Sequence, residues 1–289
     1  MMTTIRRILG AHHVTQSTIG IRPGRRGPMA AGCLVLATAI LAAGPGAAAP
    51  TQAQPQQGDA KAILKAMSDY VGSQKTIELT FDSDIEVITP QLEKIQFANS
   101  GEVLLSRPDK LRAHRVGGYA DVALFFDGKI VSVLGKHINA YAQFEAPGSV
   151  DQLVEVLRAG HGVALPGADL LLSNSYDALV AGVIEAKHIG RGVIDGVECE
   201  HLAFRNLDTD WQIWVEVGDR PIPRKLVITS KTLNDAPQYT LRVKGWKTGF
   251  EPAPDAFAFA PPAGAQKLAP DALVDLDELP QSAPAGGNE

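Results

Sequence analysis

Residues 76–106, TIELTFDSDIEVITPQLEKIQFANSGEVLLS, contain the pattern that decides the fold. In their first half, apolar or small residues alternate with acidic or polar ones, and the first set is Ile77, Leu79, Phe81, Ser83, Ile85 and Val87. This period of two predicts a long β-strand with one dry and one wet face. Thr89-Pro90 predicts a turn, and the alternation from Ile95 to Leu105 predicts a returning strand, in which Gly101 stands where a curved strand needs a bend or bulge.

The same pattern continues through most of the chain. Residues 121–134 predict a hairpin around Asp127-Gly128 that is apolar on both faces, so we expect it inside the sheet and covered on both sides. Shorter strands are predicted at residues 111–116 and 138–144. Five more strands are predicted at residues 183–194, 197–206, 211–217, 223–231 and 238–247.

Helical signals occur at only two places. From Asp59 to Gly72, apolar residues recur at the spacing of an amphipathic helix. Midway, a short helix is predicted after Ser149, a plausible N-cap, and another over residues 175–181, with a Gly- and Pro-punctuated apolar loop between them. The fold class is therefore mainly β (α+β), a curved antiparallel sheet of about ten strands with an N-terminal helix and a helical insertion as a lid.

The first 49 residues have the organisation of a bacterial secretory signal. Arg22, Arg25 and Arg26 precede an apolar run from Met29 to Ala43, and small residues follow. The run is about fifteen residues, shorter than the roughly 20 that span a bilayer, so we expect cleavage and no stable membrane insertion. Cleavage after Ala48 and after Ala53 both fit, and an uncleaved anchor is the alternative. The expected location is the periplasm.

The other predicted segments follow from composition. Residues 50–58 are a Pro- and Gln-rich linker, and residues 59–264 form one domain without an internal break in composition. Residues 265–289, Pro- and Ala-rich with five acids, predict a disordered tail in which residues 273–279 could dock as a short helix.

Charge and cysteine content argue against nucleic-acid binding, lipidation and an internal disulfide. Residues 1–49 hold five basic groups and no acid, so the rest of the chain has 22 basic and 32 acidic groups, a net charge of −10. A chain this acidic is not expected to bind nucleic acid. Cys33 precedes most of the apolar run, which argues against lipidation, so Cys199 alone remains and forms no internal disulfide.

Three motifs resemble one known family. Residues 101–108 (GEVLLSRP), residues 126–129 (FDGK) and residues 257–264 (FAFAPPAG) resemble, in this order, segments of the periplasmic outer-membrane lipoprotein carriers, the LolA-like proteins. Residues 59–264 also look like a group of uncharacterised bacterial periplasmic proteins, a domain of unknown function assigned to this fold.

The resemblance implies an unclosed half-barrel with helices over its mouth and an apolar cavity for acyl chains or another hydrophobic ligand. It implies that Arg107 takes part in lid closure and ligand release; the alternative is that Arg107 only solvates a turn beside Asp109. The candidate site residues are Arg107, Phe81, Phe97, Leu124, Phe126 and Trp214. Trp214 lies on the strand face opposite Trp211, so it either rims a ligand mouth or covers a neighbouring strand.

The sequence lacks the common motifs of catalytic and cofactor sites. The chain has no Gly-x-Ser-x-Gly, no phosphate loop, no His-Glu-x-x-His and no Cys-x-x-Cys. Cys199 and His201 share a strand face, but two ligands do not make a metal site. We therefore expect no enzyme, no cofactor and no metal.

Two functions from different classes follow. The first is a periplasmic, non-enzymatic binding protein that holds a lipid, an acyl chain or a lipoprotein-like ligand. The second is an interaction or sensor module that contacts another envelope protein, for which the doubly apolar hairpin and the acidic tail would be suited. A hydrolase with an unrecognised site is a third and weaker hypothesis.

Overall fold

A computed structural model describes residues 57–160, 163 and 165–272. The predicted signal segment (1–49), most of the predicted linker and residues 273–289 lie outside this part of the chain. In the described part, no helix is both long and apolar enough to cross a membrane.

One sheet of 12 strands organises the molecule. The strands are β1 Thr76–Ile88, β2 Lys94–Ser106, β3 Lys110–Gly117, β4 Asp121–Phe126, β5 Ile130–Gly135, β6 Ala140–Glu145, β7 Glu185–Ile194, β8 Val197–Arg205, β9 Thr209–Glu216, β10 Pro223–Ser230, β11 Gln238–Thr248 and β12 Gln266–Leu268. Their spatial order is β12-β6-β5-β4-β3-β2-β1-β11-β10-β9-β8-β7, so β12 and β7 are the two ends of an unclosed sheet. All pairings are antiparallel except that of β12 with β6. The predicted curved antiparallel half-barrel is confirmed, with 12 strands instead of about ten.

The register of β1 and β2 defines the two faces of the sheet. Ile77 pairs with Leu105 and Ile85 with Phe97, so the apolar residues of both alternations point to one side, which we call the inner face. Phe81 lies opposite Gly101, and a Cβ at Gly101 would lie 2.4 Å from the Phe81 ring. Gly101 is therefore required because the aromatic ring lies across its strand, while a bulge between Thr80 and Phe81 bends β1 against β11.

Helix α1 (Gln57–Ser73) covers the inner face of β7, β8 and β9. Its buried stripe consists of Ala60, Leu64, Met67 and Val71, all without exposed surface. The helix begins at Gln57, two residues before the predicted start, and ends one residue after Gly72. Both differences are within the usual fraying of helix ends.

The insertion between β6 and β7 covers more of the inner face. It contains α2 (Val150–Glu155), a π-helical turn (Val156–Gly160), a 3₁₀ turn (Ala168–Leu171) and α3 (Ser175–Val180). Ser149 accepts a hydrogen bond from the Gln152 backbone N–H, and the Gln152 side chain accepts one from Ser149, so the predicted N-cap is a full capping box. We call residues 165–172 the lid segment.

The outer face of β3 to β6 is covered by the chain that follows β11. The Phe259 ring packs 5.4 Å from that of Phe125 and 5.2 Å from that of Tyr141, measured between ring centroids. Arg112 donates a hydrogen bond of 3.4 Å to the Ala256 carbonyl. The hairpin of β4 and β5 is thus covered on both faces, as its doubly apolar sequence predicts.

The same connection corrects the predicted tail. Residues 265–289 were expected to be disordered, but residues 266–268 form β12, which pairs in parallel with Ala140–Ala142 of β6. A 3₁₀ turn at Pro270–Ala272 follows. Composition alone misses this strand because three residues are too few for an alternation; the edge of β6 provides the hydrogen bonds that order them.

Phe257→Ala should destabilise the protein because Phe257, in the segment that covers the outer face, is only 7% exposed. Loss of a buried aromatic side chain costs about 3 kcal/mol of unfolding free energy. The matched control is Leu207→Ala at a residue that is 79% exposed, which should change it by less than about 0.5 kcal/mol. Urea denaturation measures both values. Equal effects would contradict a packed C-terminal segment.

Candidate functional site

The inner face and its cover form one apolar cluster. Leu64 and Met67 of α1, Leu153 of α2 and Leu170 of the lid segment are buried in it together with side chains from the sheet. An ideal Cβ at Gly167 would lie 2.8 Å from the Leu241 side chain, so the lid segment passes very close to β11. The cover is therefore packed closely against the inner face at this point.

Arg107 links two parts of this cover. Its Nη2 donates to the carbonyl of Leu171 at 2.7 Å, and that of Leu172 is 3.5 Å away. Its Nε donates to the carbonyl of Gln74, just after α1, at 3.2 Å. The side chain at the end of β2 thus holds the lid segment and the end of α1 at once.

Burial governs the electrostatics of this group. Desolvation lowers the pKa of Arg107, and the negative charge of Asp151 raises it. An arginine stays charged under these conditions because its ordinary pKa is far above neutral. Its hydrogen bonds to carbonyls are therefore charge-assisted and stronger than neutral ones.

Asp151 connects helix α2 to Ser173, the residue that follows the lid segment. Its carboxylate accepts hydrogen bonds of 3.1 and 3.2 Å from the Ser173 backbone N–H, and a further bond from the Ser173 hydroxyl. Asp109, the predicted alternative neighbour of Arg107, lies instead against the β4–β5 turn, 2.8 Å from an ideal Cβ on Gly128. The structure places the guanidinium on lid carbonyls.

The four predicted ligand residues Phe81, Phe97, Leu124 and Phe126 all lie on the inner face. Phe126 is completely buried in the apolar cluster, while the other three are half-buried and pack against it. Phe97 stacks edge-on against Tyr119, with ring centroids 5.6 Å apart. Arg107 is at one end of this face and the Phe97–Tyr119 pair at the other.

Trp214 does not belong with them. Trp211, Ile213 and Val215 of β9 are inward, which places Trp214 on the outer face. Its ring stacks on His201, with centroids 4.1 Å apart and planes 12° apart, and Lys225 Nζ lies 4.9 Å from its centroid. Trp214 thus covers its neighbouring strands β8 and β10 on the outer face, the second of the two positions that the sequence left open.

Cys199 and His201 are on this outer face as predicted, but they have separate surroundings. Cys199 is buried, and burial raises the pKa of its thiol. His201 pairs with Gln212 Oε1 at 2.9 Å, and burial lowers the pKa of its imidazole. Across the described ranges, no three His, Cys, Asp or Glu side chains are grouped to hold a metal ion.

Two open depressions lie away from the cover. One of about 470 Å³ is on the outer face, and its polar lining includes Thr80, Asp82, Ser100, Glu102, His114 and Lys244. The other, about 460 Å³, lies beside α2 and is lined in part by Glu155 and Leu172. Neither lies between the helix α1 and the sheet.

Sequence reasoning missed three inner-face residues. Ser83 Oγ, Asn99 Nδ2 and Trp246 Nε1 are buried polar atoms without a hydrogen-bond partner. Ser83 and Asn99 already stood at inward positions of the alternation in residues 76–106. A polar side chain at an inward position was the signal that could have identified them.

The solved structures with a similar fold have low sequence identity to this chain. The lipoprotein LppX of Mycobacterium tuberculosis is 14% identical with a TM-score of 0.43, covering 68% of this chain and 99% of that one. A LolA superfamily protein of Nitrosomonas europaea is 13% identical with a TM-score of 0.30, covering 67% and 94%. MucB in complex with MucA(peri) is 13% identical with a TM-score of 0.37, covering 70% of this chain and 60% of that one. No curated protein matches the chain at a significant level.

A family model covers most of the domain and agrees with the resemblance and the periplasmic location predicted from the sequence. Its match begins at residue 60, inside α1, and ends at residue 269, directly after β12, so it includes the short strand that the predicted boundary at 264 left out. The chain belongs to the family described as "Predicted periplasmic protein (DUF2092)", which its residues 60–269 match.

Proposed function

We propose that this chain is a periplasmic, non-enzymatic binding protein that holds a hydrophobic ligand between the inner face and its cover. The ligand is a lipid, an acyl chain or the acylated part of a protein. The observation that carries the proposal is the Arg107 guanidinium, which bonds the carbonyls of the lid segment and of Gln74 above an apolar face. This arrangement is a closure that ligand entry would have to open.

Binding needs no catalytic group in this arrangement. The lid segment contributes apolar side chains, Leu165, Leu170 and Leu171, to the cluster on the inner face. An acyl chain that replaces them gains about 0.8 kcal/mol for each methylene group removed from water. The loss of the lid segment's own apolar contacts offsets this gain in free energy. The affinity for the ligand therefore depends on how firmly the lid segment is held.

Arg107 determines how firmly the lid segment is held. Hydrogen bonds to a charged group contribute about 1.5–3 kcal/mol each, and those of Arg107 exist only when lid segment and α1 are in place together. The closed form is thereby favoured without ligand, and the same bonds favour ligand release. Arg107 is in this proposal the polar residue that couples lid closure to release.

Arg107→Leu should loosen the lid segment without unfolding the sheet. A loss of about 2 kcal/mol in local stability raises hydrogen exchange of the amides in residues 168–175 about 30-fold. Arg112→Leu is the matched control, because Arg112 contacts the Ala256 carbonyl on the outer face. Hydrogen exchange followed by mass spectrometry compares the two variants. Unchanged exchange in Arg107→Leu would contradict the closure.

The ligand is tested by native mass spectrometry of protein purified gently from periplasm. We expect a co-purifying apolar molecule that is released on denaturation. Arg107→Leu should retain this ligand about tenfold longer during transfer to vesicles, because the bonds that favour closure are lost. A protein that is empty and also ignores added phospholipid and lipopeptide would overturn the proposed function, and unchanged retention would overturn the role of Arg107.

The second candidate, an envelope interaction module, is favoured by the edge of the sheet at β7. In the part of the chain that the structure describes, β7 pairs only with β8. Val193 and Ile189 on this edge strand are 67% and 48% exposed. An edge with exposed apolar residues is suited to accept a strand from another protein.

A photo-crosslinking residue at position 193 tests this candidate in intact cells. We expect one discrete crosslinked species there and none with the same residue at position 207, which is exposed but lies in the β8–β9 turn. Ile189→Pro should abolish the species because proline cannot donate a backbone hydrogen bond. Crosslinking that is equal at both positions would contradict an edge-specific partner.

A further inference from the structure

Three buried polar atoms of the described residues have no hydrogen-bond partner, and all are on one face. Ser83 pairs directly with Asn99 across β1 and β2, and Trp246 of β11 pairs with Leu79. Directly paired residues share a face, so Ser83 Oγ, Asn99 Nδ2 and Trp246 Nε1 belong to the inner face of the three central strands. All three atoms are hydrogen-bond donors.

Ser83 and Asn99 form a close pair within this set. They are 1% and 5% exposed, and cross-strand partners have Cβ atoms about 5 Å apart. Trp246 is four residues along β1 from this pair, about 13 Å away. The pair is therefore one polar spot, and the indole N–H is a separate donor farther along the same apolar face.

The orientation of the Asn99 amide is set by its neighbours. Arg115 Nη1 donates to Asn99 Oδ1 at 3.3 Å, and because arginine has no acceptor, the amide oxygen must face it. Gly117 pairs with Asn99, and an ideal Cβ at Gly117 would lie only 2.0 Å from that oxygen. The missing side chain of Gly117 lets the amide lie across β3, which leaves Nδ2 as the donor without a partner.

Partly exposed apolar residues lie beside this pair on the same face. Phe97 precedes Asn99 by two residues on the same face, is half-buried and stacks against Tyr119, which is 52% exposed. Ile95, two residues farther along the face, is also exposed. An apolar, aromatic rim thus begins in solvent and ends beside the two donors.

We infer that Ser83 and Asn99 bind the carboxyl or ester oxygen of an acyl lipid whose chain lies along the inner face. Two donors beside the positive charge of Arg115 fit an oxygen acceptor, and the flanking apolar residues fit the hydrocarbon. The inference rests on the proposed function, since it assigns a polar anchor to the same ligand site. A plain hydrocarbon would leave both donors unpaired, so the site discriminates by head group.

Three probes of matched chain length test the anchor: lauric acid, methyl laurate and tridecane. Their affinity for the full protein purified from periplasm and delipidated is measured by displacement of a fluorescent acyl-chain probe. We expect lauric acid and methyl laurate to bind about tenfold or more tightly than tridecane, the effect of one good hydrogen bond to a buried donor. Tighter binding of lauric acid than of methyl laurate would show that attraction between the ligand carboxylate and Arg115 also contributes.

Asn99→Leu and Ser83→Ala should each remove most of the preference for lauric acid and methyl laurate over tridecane. Ser100→Ala is the matched control, because Ser100 is on the outer face and donates to Asp82 at 2.7 Å. Asn99→Asp, which keeps the size and the contact with Arg115, should select against lauric acid. A loss of the preference among the three probes distinguishes the loss of the anchor from a general loss of binding, which would lower all three affinities.

Thermal unfolding separates a ligand anchor from a structural polar pair. Ser83→Ala should have an equal or higher Tm than the unchanged protein, because it removes a buried group without a partner. A lower Tm in Ser83→Ala with an unchanged probe preference would overturn the inference and assign the pair to protein structure or buried water. Equal affinities for all three probes would also overturn it, while the proposed function stands. Failure of every probe to bind would overturn the proposed function itself.

Discussion

The structure depends on one constraint, the need to cover the apolar inner face of the sheet. The alternation in β1 and β2 directs Ile77, Leu79 and Leu105 to this side, and the antiparallel register carries the same face through the neighbouring strands. An unclosed sheet cannot bury such a face against itself along its whole width. Helix α1 covers β7 to β9, and the insertion between β6 and β7 covers more of the inner face with short, interrupted helices. Their packing is the main source of stability, and it is also what a hydrophobic ligand must displace.

Polar groups lie at two places on this apolar face, one at its end and one near its middle, and their hydrogen bonding differs in the closed form. At one end, Arg107 satisfies carbonyls of the lid segment and of Gln74, so its hydrogen bonds are complete in the closed form. Farther along β1, Ser83 and Asn99 have donors that the closed form leaves without a partner. The closed form is thus held most firmly at Arg107. At Ser83 and Asn99, the lid segment provides no acceptor for the buried donors. A ligand with a long chain and one oxygen-bearing end matches that distribution better than a purely apolar one does.

The fold was predictable from the sequence because its signals are local. Period-two patterns, the Asp127-Gly128 turn and the Ser149 cap identify strands, a hairpin and a helix start without knowledge of the tertiary structure. Strand β12 was missed because its order comes from the edge of β6, which lies more than a hundred residues away. The site was predictable in part: alternation placed Phe81, Phe97, Leu124 and Phe126 on the inner face, but it could not say whether Trp214 reached a rim. Nor could it find the partners of Arg107, since the Leu171 carbonyl is brought near only by the folded insertion.

The inward polar residues Ser83 and Asn99 are costly for the stability of the sheet. A core that served stability alone would replace Ser83 by alanine and Asn99 by an aliphatic residue, because buried donors without partners lower the free energy of unfolding. Gly117 adds a second cost, since its missing side chain gives the strand greater freedom in the unfolded chain and leaves room only for the Asn99 amide. Stability thus provides no reason for this combination of Ser83, Asn99, Arg115 and Gly117. Proteins accept local destabilisation of this kind where binding requires it. The proposed anchor for an oxygen-bearing ligand gives this combination a role that stability does not provide.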